Sequence, residues 1–136
     1  PIGIDVIDDL TYSYEPLSNK LTSVHDDGFE DGFDDKNLGN DDYAYDINGN
    51  MVLDRNKEIV SIAYNHLNLP TSISYYDDSE FVTQGVIEYV YDSNGTKLSK
   101  NVTASGPTIR IPPKLTLYNG VFSMEETLTN LPNLNI

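Results

Sequence analysis

Ile87-Glu88-Tyr89-Val90-Tyr91-Asp92-Ser93-Asn94-Gly95-Thr96-Lys97-Leu98 contains the chain's architecture in miniature. Ile87, Tyr89 and Tyr91 alternate with Glu88 and Val90, the period of two that puts one set of side chains on one face of a strand. Asp92 to Thr96 break the alternation, and Lys97-Leu98 restart it. Asn-Gly between two such runs is the strongest short-range hairpin signal, because both residues tolerate the positive φ of a type I′ turn. The dipeptide recurs at Asn48-Gly49 and Asn119-Gly120, each time between strand-like residues. Further turns are expected at Pro16-Leu17-Ser18-Asn19 and at His66-Leu67-Asn68-Leu69-Pro70.

Outward from that stretch the same unit returns. Tyr12-Ser13-Tyr14-Glu15 precedes a turn and then Leu21-Thr22-Ser23-Val24; Tyr43-Ala44-Tyr45-Asp46 precedes Gly49-Asn50 and then Met51-Val52-Leu53. Ile62-Ala63-Tyr64-Asn65 leads through a turn to Thr71-Ser72-Ile73. Each unit is an apolar residue, a spacer, a tyrosine, an acid or Asn, a turn and a strand. The second tyrosines, Tyr14, Tyr45, Tyr64 and Tyr91, are 31, 19 and 27 positions apart, so one hairpin repeats with insertions. An isolated hairpin is marginal in water, whereas stacked hairpins bury their apolar faces on one another.

Elsewhere the even positions from Ile2 to Tyr14 are apolar at six of seven, which predicts a half-buried strand or two with a break near Asp8-Asp9. Tyr43, Tyr45 and Ile47 alternate likewise, as do Leu115 and Leu117. Helical periodicity is missing, although Glu125-Glu126 offers the start of a short helical turn before Pro132. Ten tyrosines and many Val, Ile and Thr suit a pleated surface with one wet side. The expected fold class is all-β: successive antiparallel hairpins forming a twisted open sheet over a single region, residues 1–136. Gly106-Pro107 and Pro112-Pro113 point to edge strands or irregular chain, so residues 104–136 are expected to be less regular. In this reading Gly49→Val destabilises the fold.

The charge is uneven. Of 136 residues 22 are acidic and 8 basic, for a net charge of −14, and residues 1–50 hold 13 of the acids against 2 bases. Such an excess repels phosphate, which excludes nucleic acid and anionic membrane as partners. No run approaches the roughly 18 apolar residues of a membrane span. Cysteine is absent, which removes disulfides, thiolate nucleophiles and Cys-ligated zinc. The chain begins at Pro1 with neither an initiator Met nor a signal peptide, and is expected to be a piece of a longer polypeptide. Gly-Phe-acid-Asp occurs twice in tandem, at 28–31 and 32–35, and this run places residues 25–41 in a solvated acidic loop.

Three motifs in order across residues 43–103 carry a family resemblance. Tyr45-Asp46-Ile47-Asn48-Gly49-Asn50-Met51 is similar to the Tyr-Asp-x-x-Gly-Asn-Met core of the YD-repeat, or Rhs, proteins of bacterial surfaces and secretion systems, their wall-associated Bacteroidetes members above all. Ile62-Ala63-Tyr64-Asn65-His66-Leu67-Asn68-Leu69-Pro70 resembles that family's Tyr-Asn-x-Leu-Asn-Leu-Pro variant, and residues 87–98 resemble its Tyr-x-Tyr-Asp-x-x-Gly-x-Lys-Leu form. Residues 9–35 depart further, with Glu15 where Asp is usual. Tyr118-Asn119-Gly120-Val121-Phe122 is similar to a Tyr-x-Gly-Gly-Phe stretch with Val121 in place of the second Gly. The resemblance implies a long spiralling sheet that closes, in full-length relatives, into a hollow shell around a toxin or other cargo. Four or five repeats make only a strip of such a β-cage. The Asp-Pro-rich motif that ends the family's core is absent, as is any toxin-like domain, so self-cleavage and toxicity are not carried over.

The residues also offer chemistry of their own. Calcium prefers several carboxylates on a flexible loop, and Asp26, Asp27, Glu30, Asp31, Asp34 and Asp35 supply six within ten residues. Asp46-Ile47-Asn48-Gly49-Asn50 is not an EF-hand: its Gly stands fourth, not sixth, and no acid follows in register. Adjacent acids in so acidic a chain are expected to be a solvated face, not a glycosidase pair. His25 beside Asp26 and Asp27 reads as a surface histidine, and His66 as a residue of a bend. No Gly-x-Ser-x-Gly elbow occurs. The tyrosines can stack sugars, or form the cross-strand pairs that stabilise a sheet.

The expectation is therefore a non-catalytic structural segment, not an enzyme and without a required cofactor, secreted or on a bacterial cell surface. Its repeat residues are Tyr12, Tyr14, Tyr43, Tyr45, Asp46, Gly49, Tyr64, Tyr89, Tyr91, Asp92 and Gly95. Its partners are the remainder of a larger YD-repeat polypeptide or another chain that pairs with exposed strand edges. The alternative is an extracellular adhesion module for glycan or calcium.

Overall fold

The computed structural model describes residues 7–28, 32–36, 41–77, 83–105, 110–120 and 122–127. Its regular structure is all β: β1 (Leu10–Tyr14), β2 (Leu21–Asp26), β3 (Tyr43–Tyr45), β4 (Met51–Asp54), β5 (Ile59–Tyr64), β6 (Pro70–Asp77), β7 (Thr83–Tyr91), β8 (Lys97–Ser105), β9 (Arg110–Asn119) and β10 (Phe122–Thr127). Among the described residues no helix is long and apolar enough to cross a membrane. The chain divides into two compact units, residues 1–59 and 60–136.

In the first unit β1 pairs antiparallel with β2, and β3 with β4. Asp54 at the end of β4 pairs with Ile59, the first residue of β5. In the second unit β5 to β10 follow one another as hydrogen-bonded neighbours in chain order. Consecutive strands lie side by side because their connections are tight turns, which suit antiparallel neighbours.

The turns share one construction. Asp46 Oδ1 accepts the N–H groups of Asn48 and Asn50 at 2.9 and 2.8 Å, while Gly49 N–H donates to the Asp46 carbonyl at 3.0 Å. Asp92 does the same with Asn94, Thr96 and Gly95. Asn65 does so with Leu67, Leu69 and Asn68. The fourth residue takes a left-handed φ: 86° at Gly49, 85° at Gly95, 56° at Asn68. This differs from a type I′ turn, since Asn48 and Asn94 stay at negative φ. The opening Asx side chain draws in the N–H groups two and four residues on, and the left-handed residue then bulges the ladder. Register shifts fall accordingly at Ala44/Tyr45 and Val90/Tyr91. At the third Asn-Gly, Asn119 pairs with Phe122 and so belongs to the strand.

The first turn is built otherwise. Glu15 N–H reaches Lys20 O at 2.9 Å, one residue further than in the other turns, and Leu17 carries φ 61°. Ser18 Oγ accepts the Lys20 N–H at 3.1 Å. A Cβ on Gly49 meets nothing within 4 Å, so Gly49→Val costs backbone strain alone, about 1–3 kcal/mol. A Cβ on Gly95 meets Leu69 Cδ1 at 3.0 Å, so Gly95→Val lowers the thermal midpoint further than Gly49→Val. Calorimetric melting of the two variants checks that order.

The buried apolar side chains among the described residues are Val24 and Ala104, joined by the polar Asp42, Asp54 and Thr116. Directly opposed residues share a face. Tyr89, Lys100, Thr116 and Glu125 form one such row across β7–β10. Val90, Ser99, Leu117 and Met124 form a row on the other face, where Val90 is 54% and Met124 64% exposed. On the face that carries Tyr89, Lys97 Nζ lies 4.3 Å from the Tyr89 ring centroid, and the Tyr89 and Tyr91 rings are 6.3 Å apart.

Three regions bear on the sequence reading. The described part of 104–136 holds the end of β8 and the strands β9 and β10, and Glu125-Glu126 lies in β10 instead of a helical turn. Pro112-Pro113 sits inside β9 where the β8 register slips between Val102 and Ala104; a bulge tolerates the missing N–H groups. Within 25–41, β2 extends through Asp26, and the described remainder is tied down at several points. Phe33 N–H donates to Asp8 Oδ1 at 2.7 Å, and Lys36 pairs with Glu58 at 2.8 Å. Acidic side chains here serve as acceptors for main-chain N–H groups, which offsets their mutual repulsion.

Candidate functional site

Two phenols join hairpin to hairpin. Tyr45 Oη donates to Leu21 O and Tyr91 Oη to Pro70 O, both at 2.9 Å. Each tyrosine stands immediately before its Asx residue, and each acceptor is the first residue after the preceding turn. Burial raises both phenol pKa values, which keeps the donor proton in place. Burial likewise raises Tyr43, and the Asp54 and Asp42 carboxylates add to it. The turn carboxylates shift the other way. Asp46 is lowered first by the Asn50 side chain, and Asp92 first by the Thr96 N–H.

An open groove of about 470 Å³ lies in the first unit, lined by Tyr14, Glu15, Lys20, Asp41, Tyr43 and Tyr45 among others. Lys20 Nζ stands 5.8 Å from the Tyr45 ring centroid and 3.8 Å from Glu15 Oε2. The groove thus offers aromatic faces with a cation and two carboxylates at their margin. Such a lining stacks the C–H face of a ring and exchanges hydrogen bonds with hydroxyls. Of the sequence-assigned repeat residues it gathers Tyr14, Tyr43 and Tyr45. Tyr64, Tyr89, Tyr91, Asp92 and Gly95 belong to the second unit.

Tyr12 and Tyr14 differ from the other repeat tyrosines. They are 51% and 57% exposed, and β1 as a whole is open to solvent instead of half-buried. Ile2 to Val6, the rest of that alternating run, lie outside the described residues. Ile47, read as a strand position, is fully exposed in a turn.

The calcium candidates are spread over separate tasks. Asp26 Oδ1 accepts the N–H groups of Asp9 and Gly28, both at 2.8 Å. Asp27 and Asp35 hold the two ring nitrogens of His25 at 3.3 and 2.8 Å, and Asp34 lies 3.7 Å from Lys36 Nζ. Glu30 and Asp31 lie outside the described residues. Among the described residues no group of three or more His, Asp or Glu side chains is arranged so that it could hold a metal ion. His66 is exposed in its turn.

The His25 clamp has a pH consequence. A carboxylate on each ring nitrogen favours imidazolium, and the hydrogen bond that His25 donates to Asp35 raises the His25 pKa above its usual 6.5. A raised folded-state pKa contributes stability that is fully present below 6.5 and is lost as pH rises through the higher value. The first unit is expected to melt at a higher temperature at about pH 6 than at about pH 8.5. The difference should vanish in His25→Gln; a pH-independent midpoint for the parent contradicts the clamp.

Sequence reading missed two residues that the geometry makes important. Asp42 is a buried carboxylate at the acidic run's end, and nothing in its neighbours marks it off from Asp41. Gly85 lies inside β7 against the Tyr75 ring; an isolated glycine within a strand pattern was its available signal. The fold and groove define a class: an all-β chain of repeated antiparallel hairpins with Asx-capped turns. No family model, curated protein or solved structure matches the chain.

Proposed function

We propose that the chain is a non-catalytic structural segment of a secreted or cell-surface bacterial YD-repeat (Rhs-like) protein, a strip of the β-shell that encloses or displays a toxin or other cargo. The observation that supports this reading most is the recurrence of one Asx-capped turn at Asp46, Asn65 and Asp92, with phenols linking successive hairpins. That recurrence lets a sheet lengthen by adding identical steps, which a scaffold needs and a catalyst does not.

The groove favours a second reading, an adhesion module that binds glycan across Tyr14, Tyr43 and Tyr45. Titration calorimetry with calcium and with a panel of oligosaccharides separates the two. The scaffold gives no heat and an unchanged melting temperature. Saturable heat with a raised melting temperature supports the binding module and overturns the scaffold.

A further inference from the structure

We infer that Asn119 is a site of self-modification, where the Gly120 main-chain nitrogen attacks the asparagine side chain and converts it to aspartate and isoaspartate. The Asx-capped turns suppress the same reaction at Asn48 and Asn94. The inference does not depend on the scaffold reading, because it compares the three Asn-Gly dipeptides of one chain.

The reaction needs only the chain and water. The Gly120 N–H loses its proton, and the nitrogen forms a bond to Asn119 Cγ. The Cγ–Nδ2 bond breaks, the amide nitrogen leaves as ammonia, and a cyclic succinimide closes. Water then opens the ring at either carbonyl, giving aspartate at one and isoaspartate at the other. Glycine in second place obstructs the attack least, having no side chain. The attacking species is the deprotonated nitrogen, so an acceptor that holds the glycine N–H slows the step. Bonds that fix the peptide plane that has to rotate slow it too.

Two observations separate Asn119 from the other two. The first is the partner of each glycine. Gly49 N–H donates to Asp46 O at 3.0 Å and Gly95 N–H to Asp92 O at 3.1 Å. Among the described residues nothing accepts the Gly120 N–H. The second is the brace around the dipeptide. Asp46 Oδ1 holds the N–H groups of Asn48 and Asn50, and Asp92 Oδ1 those of Asn94 and Thr96. The peptide that would have to turn is pinned on both sides. Two positions before Asn119, where those aspartates stand, is Leu117, which offers no side-chain acceptor. Exposure does not separate the sites, since Asn48 and Gly49 are exposed like Asn119 and Gly120. The hydrogen bonds do.

The product matters to the sheet. Asn119 pairs with Phe122 at the closed end of the β9–β10 hairpin. Isoaspartate routes the main chain through the side-chain carbon and lengthens it by a methylene at that pair. Either product adds a negative charge next to a strand that already carries Glu125 and Glu126. The β9–β10 pairing therefore loosens with age, while the turns at Asp46 and Asp92 keep their form.

The test incubates the full chain at mildly alkaline pH, well below its melting temperature, and maps the products by proteolysis and mass spectrometry. Asn119 should lose its amide about tenfold faster than Asn48 and Asn94, in line with the hydrogen bonds that must open first at those two. In urea the three rates should converge, since no turn then protects any of them. Asp92→Ala, shown to be folded by circular dichroism, should speed the loss at Asn94 and leave that at Asn119 unchanged. If that variant does not fold, the comparison between native and urea-unfolded parent decides alone. Aged parent protein should exchange its amide hydrogens faster at 122–127 than fresh protein, and equally aged Asn119→Gln should not. Equal native rates at the three sites, a faster loss at Asn48 or Asn94, or a native order that persists in urea each overturns the inference. A rate at Asn94 indifferent to Asp92→Ala overturns the shielding, and equal exchange at 122–127 in aged and fresh protein overturns the loosening of the hairpin.

Discussion

Replacing Asp42 with alanine is expected to lower the stability of the first unit by about 3 kcal/mol. Asp42 is 1% exposed, and its bonds include three that tie neighbouring segments together. Its N–H donates to Thr22 O at 2.8 Å, its carbonyl accepts Arg55 N–H at 2.9 Å, and its Oδ2 accepts Val24 N–H at 2.7 Å. One residue therefore fastens β2 to the start of β3 and the end of β4, where no regular ladder does so among the described residues. Alanine keeps the two main-chain bonds and deletes the third. Val24 is itself 5% exposed, so its N–H is then left in the interior with neither carboxylate nor water. An orphaned buried donor costs about 1–3 kcal/mol, and a bond to a charged acceptor lies at the upper end. Asp42→Asn keeps an oxygen in place and should cost less than half as much. Urea denaturation at neutral pH measures both, and hydrogen exchange should quicken in β2 and β3. An unchanged midpoint for Asp42→Ala would show that the buried carboxylate is not what holds these strands together. A loss of this size is a large part of the usual 5–15 kcal/mol of a small domain.

Asp42 also shows where sequence reading reaches its end. Turns were legible because their chemistry is local. Asp-x-x-Gly and the residue after it contain the acceptor, both donors and the left-handed residue within five positions, so Asp46 and Asp92 announce themselves. The turn type was not legible in the same way, since Asn-Gly fits I′ by composition, and only the Asp46 and Asp92 carboxylates pull Asn48 and Asn94 to negative φ. Asp42 and Gly85 stayed hidden because their roles depend on residues 18 and 10 positions away. The phenol links lay between. The pattern marked Tyr45 and Tyr91 as repeat positions, but a pattern of faces cannot say which carbonyl a hydroxyl meets. Pro112-Pro113 was legible as a place of irregular pairing: proline argues against a regular ladder, and a bulge on β9 meets that argument without ending the strand.

The second large effect is expected at Gly85, where two rules give opposite signs. Valine is among the best strand formers and glycine among the worst, so propensity alone has Gly85→Val gaining up to about 1 kcal/mol. Packing says otherwise. Gly85 is buried and pairs directly with Tyr75 across β6 and β7, and the tyrosine ring lies over the place a Cβ would take, overlapping its Cζ and Oη. The overlap reaches Cζ, Oη and Cε1 at the far end of the ring and is too deep for a shift of a few tenths of an ångström, so the whole side chain has to turn away. It must swing off the sheet or push the strands apart, and overpacking of this kind costs about 1–3 kcal/mol beyond any propensity gain. Packing should win, with Gly85→Val lowering the thermal midpoint of the second unit by several degrees. Tyr75→Ala supplies the control. Alone it loses the ring's contacts, but in the Gly85→Val background it frees the space that valine needs. The double variant should therefore be more stable than the sum of the two single losses by about 1 kcal/mol or more. Simple additivity would mean that the ring has room to move, and that Gly85 is there for some reason other than the tyrosine above it.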